Sequence, residues 1–134
     1  MKIQMFTYAG EGMNPVYKNE KWMVGIKNFK QANAVENLDM LERHNKTDEL
    51  FVLLEGNCTL IYANEADEGF IMEKVGMKKE TVYNIPAGLW HNTVMTPGTK
   101  MLLIEAPDTS TDNSDFASLN ETERRKVKDL CKQI

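Results

Sequence analysis

From residue 21 to residue 106 the chain alternates short apolar runs with turn-forming clusters, spaced about eight to twelve residues apart. That spacing predicts an all-β antiparallel barrel or sandwich of about nine strands. In the first run Trp22, Val24 and Ile26 alternate with Met23, Gly25 and Lys27, and residues 38–44 form a second run that ends at Asn45-Lys46-Thr47-Asp48. Residues 49–54 are expected to pair with residues 58–63 as a hairpin through Glu55-Gly56-Asn57, where glycine can take the positive φ of a tight turn. Residues 64–69 read as a looser connection. Runs at 70–75, 81–85, 91–96 and 100–105 complete the series, the last two joined at Pro97-Gly98, a dipeptide suited to a type II turn. A sheet edge near Ile3 to Tyr8 would leave backbone groups that a two-fold partner can cover, so a homodimer is expected.

Beyond Pro107 the pattern changes. Asp108-Thr109-Ser110-Thr111-Asp112-Asn113-Ser114-Asp115 carries no core periodicity and predicts a polar surface loop over 107–117. Ser118, followed three residues later by Glu121, forms a capping-box signature, and a helix is predicted over about 118–133. Val127, Leu130, Cys131 and Ile134 fall on one helical face that would dock on the barrel. Arg124, Arg125, Lys126 and Lys128 read as its solvated side. The 134 residues thus read as one domain, with the barrel at about 21–106.

Composition narrows the function classes. A 42% hydrophobic content suits one continuous core. Sixteen basic against twenty acidic residues give a net charge of −4 with no dense basic face, which argues against nucleic acid as a partner. No apolar run has signal-peptide or membrane-spanning length, so no membrane association and a cytoplasmic location are expected. Cys58 and Cys131 lack a CxxC partner and read as reduced thiols rather than a disulfide framework or zinc knuckle. The nine methionines are scattered through the strands and read as core filler.

Chemistry concentrates in two segments. Glu42 and His44 are two apart on one strand and share a face. Glu49 lies an odd step of five beyond His44, so it reaches the same side only from the next strand, facing inward with Phe51 and Leu53. A second segment, Pro86-Ala87-Gly88-Leu89-Trp90-His91, places another imidazole at a strand start just after a Pro-x-Gly corner. Trp90 is out of phase with His91 and is expected on the outer face or rim. Glu42, His44, Glu49 and His91 can therefore converge at one mouth of the barrel.

Glu42-x-His44, four residues, Glu49, six residues, Gly56 resembles the first cupin motif, H-x-H, three or four residues, E, six residues, G, with one substitution. Pro86-x-Gly88-x-x-His91 matches the P-x-G-x-x-H of the second motif, and 29 residues separate Gly56 from Pro86. The chain departs from the pattern at Glu42, which replaces the first histidine, at Glu80, where a glycine is expected, and at Met95, where asparagine is frequent.

This resemblance implies a single-domain cupin, a double-stranded β-helix or jelly-roll barrel with a short C-terminal α-helix, that takes a small-molecule ligand. It implies Glu42, His44, Glu49 and His91 as ligands of a divalent transition metal (Fe, Mn, Zn or Ni), ions that accept imidazole and carboxylate together. Two carboxylates would formally cancel the charge of such an ion and weaken it as a Lewis acid. Glu42 and Glu49 are the candidate catalytic bases. Enzymatic readings are isomerase or epimerase, lyase, and dioxygenase, acting on a small polar metabolite. The alternatives are a non-catalytic binding or sensor barrel and a structural dimer with a vestigial pocket.

Overall fold

Side chains alternate between the two faces of a strand, and the sequence exploits this to build two apolar clusters on opposite sides of one sheet. The computed structural model describes residues 1–132. Among them are ten strands: β1 (Gly12–Lys18), β2 (Met23–Asn28), β3 (Met40–His44), β4 (Glu49–Glu55), β5 (Cys58–Ala66), β6 (Gly69–Gly76), β7 (Val82–Ile85), β8 (Trp90–Met95), β9 (Lys100–Glu105) and β10 (Ser114–Ser118). A single α-helix, α1 (Glu121–Cys131), follows. The first sheet has the order β1-β2-β9-β4-β7 and the second β10-β3-β8-β5-β6. Neighbours in both sheets run antiparallel, and the two sheets face each other as a jelly roll.

Between the sheets lies one cluster, with Met23, Phe51, Leu53, Leu60, Met95, Met101 and Leu103 among its buried members. Met23, Met77, Met95 and Met101 are buried in this cluster and Met72 in the other, whereas Met1, Met5 and Met13 are exposed, so core filling accounts for five of the nine methionines. On the other face of the second sheet Leu41, Ile61, Trp90 and Val94 pack with Val127 of α1. Trp90 thus turns away from His91, as its phase requires.

Several connections differ from expectation. β4 and β5 do not form a hairpin, because β4 pairs with β7 and β9 whereas β5 pairs with β6 and β8. The turn at Gly56 instead carries the chain from one sheet to the other, as the jelly roll demands. There Thr99 Oγ1 accepts a hydrogen bond from Asn57 N at 3.1 Å and donates to Asn57 O at 2.9 Å, locking this turn to the Pro97-Gly98 turn. The connection at 64–69 is tight rather than loose, since pairing continues to Ala66 opposite Gly69. Residues 3–8 form no strand, because β1 already occupies the edge beside β2.

The segment 107–117 is more ordered than a surface loop. It holds a 3-10 turn, Thr111–Asn113, and most of β10, which pairs with β3 from Ser114 opposite His44 to Ser118 opposite Met40. Ser118 is therefore spent in a strand, and the helix begins two residues later than its capping signature suggested. Asn120 is the cap, and Asn120 with Glu123 completes the reciprocal box. Glu123 also accepts a hydrogen bond from Phe70 N at 3.0 Å, tying the helix to the β5–β6 hairpin. Val127 is fully buried, Leu130 and Cys131 lie at the margin of the same cluster, and Ile134 falls outside the described residues.

Glu80 is the only non-glycine residue with positive φ among the described residues, at 63°. It stands where the cupin motif expects glycine, so it bears a steric cost that glycine would not. Glu80→Gly should raise stability by about 0.5–1 kcal/mol in thermal or denaturant unfolding, part of the relief being offset by the freer unfolded chain. Gly56 has the opposite demand: its φ is +81°, and an added Cβ would lie 2.6 Å from Thr99 Cα. Gly56→Ala should therefore cost roughly 2–4 kcal/mol by the same measurement. Equal stability of both variants and the parent would contradict these turn geometries.

Candidate functional site

One end of the space between the sheets is polar because five strands place their charged residues there. β3 brings Glu42 and His44 on one face, while the intervening Arg43 points outward to Asp115 at 2.8 Å. β4 begins with Glu49, which is buried and in phase with Phe51 and Leu53. β8 brings His91, directly opposite Glu42 across the β3–β8 pair. All four residues singled out in the sequence thus line one cavity. The cavity has a volume of about 310 Å³, at the small end of the range of ligand pockets.

The corner before His91 is fixed by hydrogen bonds rather than by packing. Gly88 N donates to His44 O at 2.8 Å and Ala87 N donates to Asp48 Oδ1 at 2.9 Å, so the second motif is tied to the first. Gly88 has φ +85° with open space around it, and its requirement for glycine is conformational.

Two further strands supply residues that the sequence reading missed. Glu105 ends β9, one step beyond the Leu50–Ile104 pair, and so stands beside Glu49. Lys27 of β2 lines the same cavity, with its Nζ 2.9 Å from Thr93 Oγ1. Glu105 was hidden at the end of an apolar run, where a terminal charge ordinarily reads as solvated. The alternation of β4 and β9 could have revealed it, since Met101, Leu103 and Glu105 share the inward face.

The histidines are held from behind. His91 Nδ1 lies 2.9 Å from Leu89 O, an acceptor only, so this nitrogen carries the proton and Nε2 faces the cavity. His44 Nδ1 lies 2.8 Å from Ser114 Oγ, a partner delivered by β10. Both Nε2 atoms meet the same carboxylate oxygen: Glu49 Oε1 is 3.1 Å from His91 and 3.4 Å from His44. Glu42 Oε1 lies 3.9 Å from His44 Nε2 and 4.0 Å from that of His91, and Glu105 Oε2 is 3.9 Å from His44 Nε2.

These contacts set the charges. Burial would raise the Glu49 pKa, but its hydrogen bonds with His44 and His91 overcome this and hold it at about 2. The carboxylate of Glu49 raises the pKa of His44 against the opposing effect of burial. Burial, followed by repulsion from Glu49, pushes Glu105 up to about 8. Burial lowers the pKa of Lys27, an effect that attraction to Glu42 and Glu49 partly opposes.

The donor set fits a divalent ion. A neutral His91 would direct a bare Nε2 lone pair at a carboxylate oxygen 3.1 Å away, an unfavourable pairing unless a proton or a cation lies between. Among the described residues Glu105 Oε2 is buried without a hydrogen-bond partner, a second polar atom left unmet at this site. Glu42, His44 and His91 form one group of mutually close donor atoms, and His44, Glu49 and Glu105 form another. Two ligands each about 2.1 Å from one ion stand about 3.0–3.5 Å apart, so the shorter separations here need little adjustment.

No protein-family model matches the sequence, and no curated protein matches it. Similar folds are found among solved structures. A variant of Streptomyces PAC13 with uridine superposes with a TM-score of 0.62 at 12% identity, covering 92% of this chain and 98% of that one. Another structure of that protein describes it as a nucleoside dehydratase, with a TM-score of 0.62 at 10% identity and coverages of 91% and 98%. KdgF from Halomonas sp. gives a TM-score of 0.53 at 14% identity, covering 78% of this chain and 88% of that one. A cupin-2 domain protein from Shewanella frigidimarina gives 0.52 at 16%, with coverages of 75% and 84%. At these identities the likeness is one of fold. No helix among the described residues is long and apolar enough to cross a membrane.

The raised pKa of Glu105 has a signed consequence for stability. Between about 4.5 and about 8 the folded metal-free protein binds a proton there that the unfolded chain has released, so stability falls as pH rises through this window. His44, whose pKa is also raised, contributes a slope of the same sign. Glu105→Gln should therefore flatten, without abolishing, the decline in melting temperature of the metal-free protein between pH 5 and pH 8. The gain at the upper end should be on the order of 2 kcal/mol, with screening by cavity water included. An unaltered slope in the variant would show that Glu105 is ionised throughout.

Proposed function

We propose that this chain, which has the fold of small single-barrel cupins, binds a divalent transition metal in its cavity and performs proton-transfer chemistry, of lyase or isomerase type, on a small polar metabolite. The observation that carries this reading is the convergence of both imidazole Nε2 atoms on one buried carboxylate oxygen, with two more carboxylates within 4.0 Å of these nitrogens. His44, Glu49 and His91 are the ligands, and Glu42 is a fourth ligand or the general base. A bound ion would polarise a carbonyl or hydroxyl oxygen of the substrate.

The protein groups divide the remaining work. Glu42 is the most open of the cluster, with 31% of its side chain exposed, and is placed to remove a proton from a substrate carbon beside a carbonyl. Glu105 holds a proton at neutral pH and can return it to carbon, or deliver it to a departing hydroxyl. Return gives isomerisation, and departure of water gives elimination. That a structural neighbour is described as a nucleoside dehydratase and was solved with uridine supports the second outcome as the one to examine first.

Metal-stripped protein titrated calorimetrically with Mn(II), Fe(II), Ni(II) and Zn(II) should bind one ion per chain. Affinity should fall by at least about tenfold in His91→Ala and in Glu49→Gln. No binding in the parent, or undiminished binding in both variants, rejects the metal site. Incubating the loaded protein in D2O with a panel of small hydroxycarbonyl compounds should give deuterium exchange or loss of water visible by NMR. Binding without either would leave the barrel as a ligand-holding module rather than an enzyme.

A further inference from the structure

Lys27 lines the cavity but takes no part in the proposed chemistry, and its surroundings are unusual. It stands on the inward face of β2, after Met23 and Gly25, and is half-buried there, with burial lowering its pKa. No carboxylate lies within ion-pair distance of it among the described residues, and its hydrogen-bond partner there is Thr93 Oγ1 at 2.9 Å. An ammonium has three protons to donate, so two are left without a protein acceptor.

Thr93 completes the pattern. It is two residues beyond His91 on β8 and therefore shares its face. Its Oγ1 accepts from Lys27 at 2.9 Å and from Asn33 Nδ2 at 3.2 Å. With both lone pairs of the hydroxyl engaged, its own proton is available to an outside acceptor. A desolvated cation and a hydroxyl donor thus stand side by side in the cavity wall with donors in excess, a combination that calls for an oxygen-rich anion.

We infer that Lys27 and Thr93 form an anion subsite, and that the metabolite taken by the cavity carries a carboxylate group which docks there. This rests on the reading of the cavity as a small-molecule site and names its substrate class. A carboxylate suits the place better than a phosphate. Glu42 and Glu49 line the same cavity as Lys27, and their charges would penalise a dianion about twice as much as a monoanion. The exposed Lys30 at the cavity rim adds a positive charge on the path of entry.

The test uses matched probes: glycolate, D-glycerate and D-glucuronate, the corresponding amides, and glycerol 3-phosphate and inorganic phosphate. Binding is followed by calorimetry and by shifts of the Thr93 amide in 1H–15N spectra, on metal-loaded and on metal-stripped protein. At least one carboxylate should bind tenfold or more tightly than its amide in both forms. Lys27→Met, close in shape to lysine, should erase that preference, and Thr93→Val should reduce it, with metal affinity weakened in neither variant. Because the preference is read without metal as well, its loss is separable from failure of the metal site. Equal binding of acid and amide, a preference surviving in Lys27→Met, stronger binding of the phosphates, or no carboxylate binding at millimolar concentration would each overturn the inference. Circular dichroism of both variants would verify that they are folded, and Lys27→Arg should retain the preference.

Discussion

A single carboxylate, Glu49, imposes the central constraint on this molecule. It sits at the junction of the two sheets with 7% of its side chain exposed, and an ionised group so placed is costly unless positive or proton-donating partners surround it. Those partners come from the opposite sheet. His44 and His91 reach Glu49 from β3 and β8, so the pairing of charge and imidazole is also what holds the polar end of the barrel together. The Pro86 corner, the Asp48 turn and β10 are then understood as supports for the two rings.

The same concentration of charge explains why Glu105 behaves differently from Glu49 although they are neighbours. Both are buried, but the imidazoles face Glu49, and Glu105 is left with the repulsion. Two chemically identical groups a strand apart acquire opposite proton affinities from their partners alone. Nothing about either side chain in isolation would distinguish them.

The sequence is legible where function depends on spacing and obscure where it depends on pairing between distant strands. Glu42, His44, Glu49 and His91 were marked by motif spacing, and the structure brings them together. The Gly56 turn was recognised as a turn but not as a crossing between sheets, because local residues specify a bend and not the partner of the strand that follows. Lys27 was masked by phase: Trp22, Val24 and Ile26 are the more apolar set in that run, yet Met23, Gly25 and Lys27 face inward. β10 was hidden by composition, since Ser114 and Asp115 sit in a polar stretch and their strand exists only through β3. Ser118 with Glu121 and Asn120 with Glu123 carry the same capping spacing, and only the pairing of Ser118 with Met40 decides between them.

Glu123 has a consequence for how the molecule opens. One of its oxygens accepts from Asn120 N at 2.9 Å to start the helix, and the other accepts from Phe70 N at 3.0 Å at the base of the hairpin tip. Helix and hairpin therefore share one bidentate clasp, and neither can fray from that end alone. Beneath them lies the Trp90 cluster, on the face of the second sheet turned away from the cavity. Transient opening of this outer layer would proceed as one cooperative unit and would leave the polar end of the barrel intact. The protein is thus divided into an outer layer of helix and hairpin and an inner layer that carries the charged cavity.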